Sequence, residues 1–297
     1  MLKTKEEIEE WLDKMEIEDY TINEDMTVDV KGNVDISYKK LTEIPIQFGI
    51  IKGGFDCSFN NLTSLEGCPE IVKGSFFCHV NSLTSLEGCP QVVEGNFICS
   101  GNNLTSLEGY PQVVEGDFNC SSNRLSTLEG APHTVDGGFI CHSNKLTSLE
   151  GGPKIVRGEF NCPGNQLTSL EGAPHTVEGS FNCFSNRLTT LEGCPEIVEG
   201  SFYCENNKLT SLEHGPEIVG SLYACTNNNI NSFEYLPLEV EGSFYHDGIK
   251  EQNIEPNTPL EDLHKRNDII NSKKSLEEEL KSKDLTKEQI KRPKMKI

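Results

Sequence analysis

The chain has 297 residues, 35% of them hydrophobic, and a formal net charge of −21. That charge argues against nucleic acid or an anionic membrane as partner, because the field of such a body repels both. No apolar run approaches the roughly 18 residues needed to span a bilayer, and the segment Met1 to Glu6 lacks a signal-peptide core, so a cytoplasmic protein is expected.

Residues 1–29 are expected to form an N-terminal cap. Thr4 and Glu7 have capping-box spacing, and Ile8, Trp11, Leu12 and Met15 fall at i, i+3, i+4 and i+7. The spacing predicts an amphipathic helix lidding the first coil of the body, with Trp11 as its main plug. This end is strongly acidic, since residues 1–30 hold 11 acids against 3 bases.

From residue 30 to 248 a period of 21 takes over. Asparagine recurs at Asn60, Asn81, Asn102, Asn123, Asn144, Asn165, Asn186, Asn207 and Asn228, and cysteine stands three residues before each, from Cys57 to Cys225. A fixed period of this length marks a solenoid, in which each coil buries its apolar face against its neighbours. In the coil from Leu62 to Asn81, the residues Leu62, Leu65, Val72, Phe76 and Cys78 recur with apolar equivalents and are expected inside. Phe76-Phe77-Cys78 alternates in, out, in, as a short strand must. Extending the register from Val34/Ile36 to Phe244/His246 predicts eleven parallel strands, with a local slip in period where Gly220 comes early.

The chain holds 12 cysteines, nine of them in this inward column without a C-x-x-C zinc pair. Coil spacing alone would allow disulfides. Identical use in every coil favours reduced core thiols, since free cysteine packs as a small hydrophobe. The asparagine amides, each both donor and acceptor, are expected to satisfy turn backbone groups that lack a sheet partner. A ladder of nine glutamates, Glu66 to Glu234, is expected to accept hydrogen bonds from turn amides; the alternative is a cation ladder, which no calcium-loop motif supports.

The pattern strand-C-x-x-N-x-L-x-x-L resembles the leucine-rich repeat. Its short period and Leu-Thr-Ser-Leu segment look like the bacterial subclass of secreted effectors of the YopM and IpaH type. The block Tyr20 to Gly54 leading into the repeats is similar to leucine-rich repeat proteins encoded by large tailed bacteriophages. The resemblance spans Val30 to Tyr245. It implies a solenoid with its parallel sheet on the concave face, a binding scaffold, and residence in a bacterial host cell or association with a virion. IpaH-type effectors carry a catalytic domain with a nucleophilic cysteine after the repeats; here no cysteine follows Cys225, so that activity is not implied.

Residues 249–297 are expected to form a charged helical tail. Thr258-Pro259-Leu260-Glu261 reads as a helix start with Leu260, Leu263 and Ile270 as its stripe, Ser275 opens a second helix ending near Lys283, and Lys287 to Ile297 is expected to be mobile. Such a tail is either an appendage or a tether that docks on another protein.

No hydrolase, zinc-protease or phosphate-loop motif occurs, so no catalytic residue, metal or cofactor is expected. Cys78-His79 and Cys141-His142 are not nucleophile–base pairs, because adjacent strand residues face opposite sides. The outward strand positions instead vary and carry apolar side chains. Phe77, His79, Ile98, Ile140, His142, Phe184 and Tyr203 are therefore the expected partner-binding residues, for a protein partner on the concave face. The competing reading is ordinary filling of strand positions by residues of high β-propensity. A competing function class is a structural or virion-associated component held by its C-terminal helices.

Overall fold

The computed structural model describes residues 1–249, 252, 254–269, 271–272 and 274–275. Each coil reverses direction around a glycine, and two strands of only two residues flank that reversal, as in Ile71–Val72 and Phe76–Phe77 around Gly74. Stacking the coils therefore builds two walls. One is a continuous parallel sheet of eleven strands from Val34–Asp35 to Phe244–Tyr245, here called the long sheet. The other is a pair of six-stranded sheets, which the strand pattern in the sequence does not predict. An antiparallel hairpin, Tyr20–Ile22 with Thr27–Val30, closes the N-terminal edge of this second wall. The result is a parallel β-solenoid of 21-residue coils.

The second wall is interrupted between Val113–Val114 and Thr134–Val135, where no strand pairing joins its two halves, and it thins to a single residue pair at Val177–Val198. The long sheet stays paired throughout.

Between the walls the coils touch through glycine. The N–H of Gly95 donates to the Gly74 carbonyl at 3.0 Å and that of Gly116 to Gly95 at 3.1 Å. A Cβ on Gly116 would lie 2.7 Å from the Gly95 carbonyl carbon, so any side chain there would push neighbouring coils apart.

The core is a column of rings. Phe55, Phe76, Phe97, Phe118, Phe139, Phe160, Phe181 and Phe202 follow one another with centroids 5.1–5.8 Å apart, and Trp11 and Phe48 extend the column into the cap. Burying one such side chain contributes about 1.5–3 kcal/mol. Beside them run the thiols. All twelve cysteines are free, and all but Cys194 are buried. Several donate weakly to the next coil's backbone, as Cys183 Sγ does to the Tyr203 carbonyl at 3.3 Å and Cys99 Sγ to the Asn119 carbonyl at 3.4 Å.

The asparagine column does the expected backbone work. Asn102 accepts from the Leu83 N–H at 3.0 Å and donates to the carbonyls of Cys78 and Cys99, each at 3.1 Å. One side chain thus ties two coils together at the turn. The glutamate column differs from expectation. Its backbone N–H groups donate to the serine or threonine two residues earlier, as Glu87 does to Ser85 Oγ at 3.0 Å and Glu150 to Ser148 Oγ at 3.1 Å. The hydroxyls have taken the acceptor role, and the carboxylates project into solvent, where water and salt screen their repulsion.

In the cap, the helix Lys5–Lys14 begins with the Thr4–Glu7 capping box. Trp11 is not its main plug. Ile8 and Leu12 are fully buried, whereas Trp11 is half-buried and meets Phe48 edge-on at 6.2 Å. The expected slip near Gly220 is likewise no break, because Val219 pairs with Val198 and Tyr223 with Phe202 in unbroken register. At the C-terminal end a helix covers residues 260–269, with Leu263 buried. Ile270 and most of the expected second helix, with Lys287 to Ile297, lie outside the described residues.

Candidate partner-binding surface

Parallel pairing puts each residue beside the one 21 positions further on, so each outward position of the long sheet becomes a column. The first column reads Asp35, Asp56, Phe77, Ile98, Asn119, Ile140, Asn161, Asn182, Tyr203, Ala224 and Tyr245. Its acids and amides are anchored locally. Asp56 accepts from the Ser58 N–H at 2.8 Å, and Asn182 from the Phe184 N–H at 3.0 Å. Asn161 has no such donor, since residue 163 is proline, and its Oδ1 is buried and unpaired among the described residues.

The structure separates the expected binding residues into three groups. Phe77 and His79 touch edge-on with centroids 6.1 Å apart, and Ile98 lies in register beside Phe77. Ile140 and His142 form a second group beyond Asn119. Phe184 and Tyr203 form a third, on neighbouring coils. From Phe77 to Tyr203 is six strand steps, about 29 Å at roughly 4.8 Å each. Phe184 is exposed and the other six are half-buried.

A third column was missed. The residue just before each asparagine lies in the left-handed region, because the turn directs its N–H to the next coil: the N–H of Phe59 donates to the His79 carbonyl at 3.0 Å and that of Val80 to Ser100 at 2.9 Å. Small or turn-prone residues fill this column from the fourth coil on: Gly101, Ser122, Ser143, Gly164, Ser185, Asn206, Asn227 and Gly248. The first three positions break the rule. They are Tyr38 at φ 56°, Phe59 at 54° and Val80 at 53°. A left-handed conformation costs an ordinary L-residue roughly 1–2 kcal/mol, and a β-branched one is a genuine outlier there. All three side chains are exposed, Tyr38 by 67%.

These residues extend the Phe77 group into one surface. Tyr38 and Phe59 stack at 4.3 Å with planes 9° apart, and Phe59 meets His79 edge-on at 5.0 Å. Burial pushes the His79 imidazole's pKa down, against a smaller upward pull from the Asp56 carboxylate, and its Nδ1 is buried without a partner among the described residues. His142, by contrast, holds Ser143 Oγ at 3.1 Å through Nδ1, with its pKa also lowered by burial. Asp35 keeps its charge readily, because Ser37 donates to it from Oγ and N–H. The sequence signal for Tyr38, Phe59 and Val80 was present: counting in steps of 21 through the position before each asparagine, and one step back to Tyr38 ahead of Lys39, shows three large apolar residues followed by glycine, serine and asparagine only.

The thiols beside this surface face away from it. Cys78 donates to the Ile98 carbonyl from inside the core, and burial holds its pKa well above the usual thiol range. Among the described residues, no three His, Cys, Asp or Glu side chains converge as metal ligands. No helix of the described chain is long and apolar enough to cross a membrane. No protein-family model matches the chain, and no curated protein matches it in sequence.

Proposed function

We propose that this chain is a non-enzymatic recognition protein of the leucine-rich repeat type, with its long-sheet face binding a protein partner. The anchor is the N-terminal end of that face: Tyr38, Phe59, Phe77, His79, Val80 and Ile98. One observation carries this reading. Strand propensity explains Phe77 or Ile98 on a strand, but it offers no reason for tyrosine, phenylalanine and valine in left-handed turns where the same backbone elsewhere takes glycine, serine or asparagine. Strain of this kind persists where it supports function. Exposed aromatic residues clustered at one end are also the side chains that dominate binding energy at interfaces. The Ile140 and Tyr203 groups then serve as flanking contacts. With the phage-like N-terminal block, the setting proposed is the cytoplasm of an infected bacterium or the virion.

The test separates binding from folding. Replacing Tyr38, Phe59 and Val80 together with asparagine, the residue of the later coils, should abolish partner capture from infected-cell extract, read by mass spectrometry, while the thermal midpoint holds or rises. Capture that persists in this variant rules out the anchor.

A further inference from the structure

The first two coils of the long sheet repeat one local arrangement: Asp35, Ser37 and Tyr38 in one, Asp56, Ser58 and Phe59 in the next. Register sets the two aspartates one strand step apart, roughly 4.8 Å, and the two rings stack at 4.3 Å. Each aspartate uses one oxygen to hold its turn. Oδ1 of Asp35 accepts from the Ser37 N–H at 2.9 Å and Oδ1 of Asp56 from the Ser58 N–H at 2.8 Å, and the serine hydroxyls donate to the same two oxygens. Oδ2 of each aspartate has no donor among the described residues.

That turn needs an oxygen and not a charge. Further along the same column Asn119 Oδ1 accepts from the Ser121 N–H at 3.0 Å and from the Ser121 hydroxyl, the same arrangement built with a neutral amide. Asp35 and Asp56 are the only acids in the eleven positions of the column, and they lie on the two coils that carry the exposed rings, Tyr38 and Phe59. Among the described residues no ion pair reaches either carboxylate. Lys39, whose charge is the weakest influence on Asp35, pairs with Glu16 at 3.8 Å. His79, beside Phe59, is kept neutral at pH 7 because burial lowers its pKa.

Surplus negative charge beside open aromatic rings suits a flat cation. A guanidinium is planar, stays charged, stacks on rings and carries donors enough for two carboxylates, whereas an ammonium is a compact point charge. We propose that the partner protein presents an arginine here, its guanidinium stacked on Tyr38 and paired with Asp35 and Asp56. This inference deepens the reading of the long-sheet anchor and rests on it. The acidic N-terminal end, with 11 acids against 3 bases in residues 1–30, steers a basic segment toward the site.

The experiment uses the full-length chain with N-acetylarginine amide as probe, read by the ring-proton resonances of Tyr38. Binding should be saturable, and the citrulline counterpart, equally flat but uncharged, should bind about fivefold more weakly. D35N/D56N should lose the same factor with an unchanged thermal midpoint, because asparagine holds this turn at Asn119. E150Q/E171Q, which removes the same charge from the exposed glutamate column, should bind like the wild type. No saturable binding, citrulline binding as well as arginine, D35N/D56N binding as the wild type does, or an equal loss in E150Q/E171Q each overturns the proposal. Capture from infected-cell extract tells its failure from that of the anchor. Capture lost on replacing Tyr38, Phe59 and Val80 but kept in D35N/D56N leaves the anchor standing and removes the arginine; capture kept in both removes the anchor and the arginine with it.

Discussion

The two ends of the long sheet depart from the repeat in opposite directions. At the N-terminal end the departures point outward: Tyr38, Phe59 and Val80 occupy solvent-facing left-handed turns. At the C-terminal end they point inward. Tyr223 replaces phenylalanine in the ring column, His246 replaces cysteine in the thiol column, and both are buried. An inward departure has a packing explanation, because the last coils must hand the core over to a cap. Beside Tyr223, Gly215 stands where most other coils, Gly152 excepted, carry a side chain, and a Cβ there would lie 3.0 Å from the tyrosine hydroxyl. An outward departure that costs backbone strain has no such explanation, and this asymmetry is what locates the proposed anchor.

The comparison is sharpest where the caps themselves are tested. Leu12→Ala should destabilise by about 2–5 kcal/mol in urea unfolding, since Leu12 is fully buried. Trp11→Ala should cost less than Leu12→Ala despite the larger side chain, because Trp11 is half-buried. The reverse order would restore Trp11 as the plug. Midway along the body, Asn144→Ala should cost about 2–3 kcal/mol. It strands the Leu125 N–H and the Cys120 and Cys141 carbonyls, which the side chain now meets at 3.0–3.1 Å.

These contrasts also show what was legible beforehand. The period, the eleven long-sheet strands, the inward phenylalanines and cysteines and the role of the asparagines could all be read, because each repeats a residue type with one physical use. The second wall was not legible. Ile71–Val72 is a two-residue strand, too short for alternation to register, and its partner lies 21 residues away. Nor was the glutamate column, because hydroxyl and carboxylate compete for the same N–H and composition does not say which wins. Of the proposed binding surface, the strand positions were read from alternation, whereas the turn positions left only a compositional trace that was missed. A left-handed φ belongs to the backbone, and only the glycines later in the column hint at it.

Smaller effects test the outward departures against the inward ones. Val80→Asn should raise stability by about 1 kcal/mol, and Ser143→Val, which writes the same strain into a later coil, should lower it by a similar amount. If both substitutions are neutral, the left-handed positions store no strain and the main support for the anchor is gone. Tyr223→Phe should stabilise by about 1 kcal/mol, because the tyrosine hydroxyl is buried with no hydrogen-bond partner among the described residues.

The gentlest test concerns His246, the inward departure that fastens the C-terminal end. Its Nε2 lies 3.0 Å from the Thr258 carbonyl, and its Nδ1 accepts from the Gly248 N–H at 2.9 Å, so the ring is held as the neutral Nε2–H tautomer. Burial lowers its pKa, while the bond to Thr258 and the Asp247 carboxylate pull it partly back. The unfolded chain, with an ordinary histidine near 6.5, therefore takes up the proton first. Stability from this group is complete above about pH 6.5 and declines as pH falls through that value toward the lower folded one. Protonation at Nδ1 would also leave the Gly248 N–H facing a donor. The urea midpoint should therefore drop between pH 8 and pH 5, with hydrogen exchange rising first in residues 246–263. His246→Gln should flatten the part of that slope that His79 and His142, also lowered by burial, do not supply. An unchanged slope in His246→Gln would mean that the fastening does not depend on a neutral ring, and that the two ends differ in shape but not in chemistry.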